Sequence, residues 1–356
     1  MAHLTPLGAL EAAILLAAVW WVWIDTSWIT NWLDPERGPV RLMLFALMAA
    51  GLIMSTSLPH AFGDKGLVFA SAFAAMQVGR SLFTLWAVRG SPTQKANFQR
   101  ISIWALTGAV FWISGGLAEG QTRLLIWLAA LALEFAAPAT AFFVPGLGRS
   151  STTDWDVEGA HLAERVGLFV IICLGESIII TGATFAELAW TPTVVTVFVS
   201  ALITTITMWW LFFSEAHEAG SETISHAADP GAIARRTYTY CPIIVVAGIV
   251  VTAVGDELAL AHPLGVAGVA NAAVLIGGPM LFLLGTALSI YSIWGKVAWP
   301  RVVGVAALGA ALLFGQGLSP LGLTMTSTAI LVLTASGSPS RPGEGRPRRP
   351  SRRRCR

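Results

Sequence analysis

Charged residues are scarce in this sequence. Only 12% of its 356 residues are Asp, Glu, Lys or Arg, whereas 55% are hydrophobic and the mean hydropathy is +0.70. Soluble domains carry roughly 25% charged residues, so this chain has too few charges to cover a surface that faces water. The composition therefore excludes an ordinary soluble protein, soluble enzymes among them.

Cysteine is also rare, and its three copies form no close pair: Cys173, Cys241 and Cys355. Their spacing matches neither a disulfide framework nor a zinc site. The histidines and glutamates of residues 215–226 also lack the spacing of metal ligands. We therefore predict no metal and no cofactor. No basic segment precedes the first apolar block, so no cleavable signal peptide is expected.

What the chain has instead is a series of long apolar blocks. Blocks of this length cross the ~30 Å hydrocarbon core of a bilayer as helices, and they are too long and too uniform for the strands of a membrane barrel. We predict an all-α, polytopic membrane bundle of about eleven transmembrane helices. The predicted spans are 7–24, 41–58, 66–88, 101–117, 123–143, 164–184, 192–213, 239–255, 264–294, 301–316 and 319–335.

Lysine and arginine in the loops predict the orientation. One set of alternate loops and span ends holds eleven of them, and the opposite set holds two, Lys65 and Arg123. Because positively charged loops stay in the cytoplasm, we expect the N-terminus outside and the C-terminus inside. Residues 336–356 contain Pro, Gly, Ser and Arg without an apolar face, which predicts a disordered cytoplasmic tail.

Two segments of the chain resemble each other. RISIWALTGAVFWISGGL, from Arg100, aligns with RVVGVAALGAALLFGQGL, from Arg301. We interpret residues 1–143 as a first repeat of five spans and residues 144–335 as a second, parallel repeat of six, so that the helix leading the first repeat is missing. Parallel repeats are common in transporters. Chance similarity between Ala-, Gly- and Leu-rich helices is the alternative.

Three charges inside predicted spans are the strongest indications of function. A charge at the centre of a membrane helix costs roughly 2.5–3.5 kcal/mol on insertion scales. Arg80, Glu134 and Glu176 all lie about 13–17 Å from the inner ends of their spans at ~1.5 Å per residue, and Gln77 lies one turn before Arg80. We predict an ion or proton site there. A structural ion pair that holds the helices together is the alternative.

The sixth span carries a polar stripe. In HLAERVGLFVIICLGESIII, the helical period places His161, Glu164, Arg165 and Glu176 on one side of the helix. This stripe would lead from the inner membrane surface to the predicted site. The alternative is an ordinary interfacial helix start, with capping residues and surface charge pairs.

The first span ends in an unusual mixture of tryptophan and polar residues. The sequence WWVWIDTSWITNWLD places Asp25 and Thr26 among five tryptophans. We expect them at the inner mouth of the bundle, where they could form a vestibule for a cation or polar solute. An aromatic belt with helix-capping residues is the more ordinary interpretation.

Three segments of the sequence are distinctive: His161 to Ile180, WWVWIDTSWITNWLDPERGPVRL, and SLPHAFGDKGLVFASAFAAMQVGR. They resemble the bacterial low temperature requirement protein A (LtrA) family. The resemblance implies a multi-pass bacterial inner-membrane protein, associated by name with growth in the cold. It implies no settled activity, so no catalytic residue is carried over. Family members usually begin with a further apolar helix, which agrees with the missing helix expected from the repeats.

Two functions follow as hypotheses. The first is a transporter or channel-like protein that moves a small ion or solute through the intramembrane charged site. The second is a non-transporting accessory or sensor protein for adaptation to cold or envelope stress. No nucleophile with a base is found, so we predict that the protein is not an enzyme. The expected partners are the lipid bilayer and, under the first hypothesis, the small ion or solute, with no nucleic acid. The oligomeric state is not determined by the sequence.

Overall fold

A computed structural model of the protein describes residues 4–151, 159–214, 230–315 and 317–337. Within these ranges it contains eleven helices and no β-strand, which confirms the all-α prediction. Residues 215–226, Cys355 and most of the predicted Arg-rich tail (338–356) lie outside the described residues.

The helices follow the chain in simple order, and each corresponds to one predicted span. They are α1 Pro6–Thr30, α2 Gly38–Ser57, α3 Gly66–Ala87, α4 Pro92–Leu117, α5 Gly120–Ala139, α6 Gly159–Glu187, α7 Pro192–Phe213, α8 Cys241–Ala261, α9 Val269–Trp294, α10 Trp299–Phe314 and α11 Pro320–Gly337. In the described chain, ten are long and apolar enough to cross a membrane, and α10, with 16 residues, is shorter. The helix that contains α8 begins earlier, with a turn at Pro230–Ala234 and a π-helical stretch at Arg235–Tyr240.

Several helices are longer than the hydropathy predicts, α1 and α4 among them. We expected the first span to end at residue 24, but α1 continues to Thr30. Its hydroxyl groups donate to carbonyl oxygens one turn earlier, Thr26 to Val22 at 2.8 Å and Thr30 to Thr26 at 3.1 Å. Polar side chains that are satisfied by their own helix do not end it. Likewise, α4 begins nine residues before the predicted span, at Pro92, whose fixed φ suits a first helical turn.

The chain forms two compact units. The first comprises Met1–Val166 and Ser221–Ala247, and the second comprises Gly167–Gly220 and Gly248–Arg356. These limits differ from the predicted repeat boundaries at 143 and 335. A division by packing does not test a repeat in the sequence, so the repeat stays a prediction.

In the first unit, α3 packs between α2 and α4, α4 packs on α5, and α1 packs on α3 and α5. Trp112 and Trp127 meet between α4 and α5 with ring centroids 5.5 Å apart. Arg123 binds the loop carbonyls of Ala61 and Gly63 at 2.9 and 2.6 Å, as well as carbonyls at the end of α4. These contacts fix the register of the helices that carry the site described below.

In the second unit, α9 packs on α10 and α11, α10 on α11, and α7 on α11 and α9. Thr204 of α7 and Thr328 of α11 share a hydrogen bond of 2.8 Å. Helices α8 and α9 approach closely at Gly248 and Gly278, where an added Cβ would overlap backbone atoms of the other helix. Small residues allow such approaches between membrane helices.

Some helix faces carry large apolar side chains that no part of the described chain covers. On α2, the side chains of Leu42, Phe45, Met48 and Leu52 are 61–69% exposed. Such a face is unfavourable in water and favourable in lipid. Together with the ten spanning helices, it shows a multi-pass membrane protein in contact with a lipid bilayer.

Candidate functional site

One face of α1 carries tryptophan side chains on both sides of an aspartate. Trp21, Asp25 and Trp28 follow each other at helical spacing, and Trp32 comes just after the end of the helix. The Trp28 indole N–H donates to Oγ1 of Thr239 at 2.9 Å, which fixes the ring. The Trp21 ring stacks on Phe135 of α5 at a centroid distance of 4.4 Å.

Arg80 of α3 reaches this face of α1. Its guanidinium donates to Oδ2 of Asp25 at 3.1 Å, to Oγ1 of Thr26 at 3.0 Å and to the carbonyl of Val22 at 3.1 Å. It also donates to Oε1 of Gln77, and the Gln77 amide donates to Oδ2 of Asp25 at 2.9 Å. The Arg80 residue is 1% exposed, whereas the Asp25 side chain keeps 33% exposure. A buried cation is thus paired with an acid whose side chain is still partly exposed.

Glu134 of α5 is the second acid of this cluster. The residue is 8% exposed and lies within the electrostatic field of both Arg80 and Asp25. Its Oε1 is buried and has no hydrogen-bond partner among the described residues. A Cβ on Gly108 of α4 would lie 2.8 Å from this oxygen, so the absence of a side chain at Gly108 leaves room for the carboxylate.

The end of α5 and the π-helical stretch form the opposite side of the site. Pro138 lies inside α5 one turn after Glu134 and, lacking an N–H, cannot bond the Glu134 carbonyl. Arg235 donates to the carbonyl of Pro138 at 2.6 Å, and the Tyr240 hydroxyl donates to the carbonyl of Phe135 at 3.0 Å. π-Helical turns are rare and frequently occur at functional sites.

These groups line a cavity of about 120 Å³ inside the first unit. One water needs roughly 10–15 Å³ on this measure, so the cavity accommodates several waters or a small solute. Ala141 and Phe142, both with positive φ, border it from the loop after α5. Its aromatic and polar lining residues are Trp21, Asp25, Trp28, Trp32, Gln77, Arg80, Ser81, Phe98, Trp104, Glu134, Phe142, Ser150, Arg235 and Thr239.

The arrangement has the properties of a binding site for a cation, a proton or a polar solute. The carboxyl groups of Asp25 and Glu134 line the cavity, and the Arg80 guanidinium already donates to four hydrogen-bond acceptors. Pockets that combine apolar walls with a few oriented polar groups are typical of small-molecule sites. Among the described residues, no group of His, Cys, Asp and Glu is arranged to hold a metal ion.

The structure brings some of the predicted site residues together and leaves others apart. Gln77, Arg80 and Glu134 meet at the cavity. Asp25, which we expected at the mouth of the bundle, lies inside α1 and is the salt-bridge partner of Arg80. Its helical spacing with Trp21 and Trp28 is the sequence signal that could have revealed this position.

The polar residues of α6 have a different environment. His161, Glu164 and Arg165 belong to the first unit but do not line its cavity, and the latter two are exposed. Glu176 belongs to the second unit and is exposed. A place for Glu176 in a common site with Arg80 and Glu134 therefore stays a prediction.

Comparison with known proteins identifies the family of the chain. The family model of the bacterial low temperature requirement A protein matches residues 1–336, which include the whole cavity. The chain belongs to this family. An uncharacterized protein of Rhizobium meliloti (strain 1021) is 38% identical over 335 residues, covering 92% of this chain and 80% of the relative. No solved structure matches the chain.

Proposed function

We propose that this member of the low temperature requirement A family is a transporter or channel-like protein and not an enzyme. In this proposal, the cavity of the first unit holds a small ion or solute on its way across the membrane. The proposal includes the predicted orientation, with the N-terminus outside and the C-terminus in the cytoplasm of a bacterial inner membrane.

The environment of Glu134 is the observation that carries the proposal. A carboxylate buried among membrane helices is costly unless a charge or hydrogen bonds compensate it. Arg80 is already engaged by Asp25 and Gln77, and Oε1 of Glu134 has no partner among the described residues. A carboxyl group that borders a cavity and has one oxygen without a partner can take up a cation or a proton.

The packing of the helices also supports the proposal through the predicted repeat. Under that repeat, α1, α3, α4 and α5 correspond to α7, α9, α10 and α11. Helix α3 packs on α4, α4 on α5, and α1 on α3 and α5 in the first unit, and the corresponding pairs are packed in the second. Repeats that bind a solute near the middle of the membrane are a common transporter design.

Flux measured in liposomes tests the proposal. Purified protein in vesicles should let Na⁺, K⁺, protons or a labelled small solute pass, and Glu134→Gln should reduce the rate at least tenfold. Glu187→Gln, at the exposed end of α6, is the matched control and should keep the wild-type rate. Glu176→Gln is a third variant, and a loss of flux there would place Glu176 on the same path.

A non-transporting accessory protein is the second candidate, because the several hydrogen bonds from Arg80 to α1 also suit a purely structural pair. It predicts a growth defect in the cold on deletion, rescued equally by wild type and by Glu134→Gln. Absence of flux for every ion and solute, together with equal rescue, would decide in its favour.

A further inference from the structure

We infer that the solute held in the first unit is a small organic ammonium compound rather than a bare metal ion. This inference rests on the proposed function, since it names the class of compound that the cavity takes. Its basis is the combination of an aromatic wall, two carboxylates and a cavity of more than one water's size.

The aromatic wall is continuous and held in place. The ring centroids of Trp28 and Trp32 are 6.0 Å apart, and those of Trp32 and Phe98 are 6.0 Å apart. Trp28 is fixed by its bond to Thr239, and Trp104, also at the cavity, donates its indole N–H to the carbonyl of Phe143 at 3.1 Å. Faces of tryptophan rings attract cations, and aromatic cages are a recurrent way to recognise quaternary ammonium groups.

The acids lie where such a cation needs them. Asp25 is one turn from both Trp21 and Trp28 on α1, and a third of its side chain remains open. Glu134 also lines the cavity, and its Oε1, which is buried beside Gly108 of α4, has no partner among the described residues. An alkali metal ion would need several oxygen ligands in a close shell, whereas an ammonium group needs only nearby negative charge and aromatic faces.

Two guanidinium groups also border the cavity, and both are directed to other partners. Arg80 is bound to Asp25, Gln77, Thr26 and Val22. Arg235 is bound to the carbonyl of Pro138 near the C-terminal end of α5, where the helix dipole is negative and offsets a positive charge. Asp25 balances the charge of Arg80, so the aromatic wall and Glu134 favour a cation over an anion.

Binding of choline to the full-length protein in detergent tests the inference. The matched probe is 3,3-dimethyl-1-butanol, which has the same shape without the charge, and KCl serves as the inorganic cation. Isothermal titration calorimetry should show choline binding at least tenfold more tightly than the uncharged analogue, and K⁺ should not displace it.

Two variants at Trp28 separate the aromatic face from simple packing, because both lose the bond to Thr239. Trp28→Phe should keep choline affinity within about threefold, whereas Trp28→Leu should weaken it three- to thirtyfold, as expected for one cation–π contact. Neither should change affinity for the uncharged analogue more than twofold. Elution on size exclusion and the thermal transition check that both variants fold.

The outcomes separate this inference from the proposed function. Equal affinity for choline and its analogue, or displacement of choline by K⁺, overturns the ammonium inference. If choline does not bind and Na⁺, K⁺ or protons still cross liposomes in a Glu134-dependent way, the proposed function stands and the ammonium inference fails. If choline binds as expected and nothing crosses the membrane, the ligand class stands and transport is wrong.

Discussion

The two compact units differ in the polar residues that they bury beside serine and threonine. In the first, the buried groups include Arg80, Gln77, Arg123 and Glu134, whereas those of the second are serine or threonine apart from Asp256 and Arg301, among the described residues. Both units are built from long apolar helices. The units therefore differ in the polar residues buried between their helices and not in the length and apolar character of the helices.

Hydroxyl groups and charges make different demands on a membrane bundle. A buried hydroxyl can donate to a carbonyl of its own helix, as Thr205 does to Ala201 at 3.1 Å and Thr252 to Gly248 at 2.8 Å. A guanidinium or carboxylate needs several partners and obtains many of them from other helices. Arg80 does so from α1 in the first unit, and Arg301 binds the Leu211 carbonyl of α7 in the second. The polar cluster of the first unit thus depends on the register of α1, α3 and α5.

Removal of Arg80 should show this dependence most strongly. Arg80→Met leaves the partly buried Asp25 and the buried Glu134 without the cation that Asp25 binds, so the free energy of unfolding should fall by about 3–5 kcal/mol. Denaturation by SDS in mixed micelles measures it. The double variant Asp25→Asn, Arg80→Met should lose less than Arg80→Met alone, because one buried acid is then neutral. A loss below ~1 kcal/mol for Arg80→Met would contradict the distinction between the units.

A pair of glycine substitutions compares aligned positions of the two units. In the predicted repeat, Gly108 of α4 corresponds to Gly309 of α10. A Cβ at Gly108 would meet Oε1 of Glu134 at 2.8 Å, whereas a Cβ at Gly309 has no neighbour within 4 Å. Gly108→Ala should lower the free energy of unfolding by about 1–3 kcal/mol. Gly309→Ala should leave it unchanged or raise it by up to ~1 kcal/mol, because alanine has the higher helix propensity.

The same pair should also affect function differently. Because Gly108→Ala displaces the Glu134 carboxylate, flux in liposomes should fall, and Gly309→Ala should leave it unchanged. Equal effects of the two variants on stability and flux would show that Gly108 has no special role beside Glu134.

The smallest loss of stability is expected for a substitution within the second unit. Thr204→Val removes the hydrogen bond to Thr328 between α7 and α11 and should cost about 0.5–1.5 kcal/mol. Thr205→Val is the control, because that hydroxyl bonds only to its own helix, and it should cost less. Unfolding in mixed micelles measures both, and a loss at Thr204 as large as that of Arg80→Met would contradict the comparison.

The number and position of the helices follow from the sequence alone. The span predicted at residues 192–213 is the helix Pro192–Phe213, and the span at 66–88 is Gly66–Ala87. Membrane helices are set by local hydrophobicity over some twenty residues, so each block specifies its own helix. The family was also recognisable, because its segments are contiguous in the chain.

The partners of the charges were decided only by the tertiary structure. Arg80 and Glu134 were evident as costly residues inside spans, but hydropathy gave no reason to pair Arg80 with Asp25, which stood beyond a predicted helix end. That pairing depends on the extension of α1 to Thr30 and on its rotation against α3. Likewise, the space for Glu134 beside Gly108 depends on how α4 meets α5. Rotation and register between helices arise from packing among many side chains, whereas the apolar length of each helix is a property of its own segment.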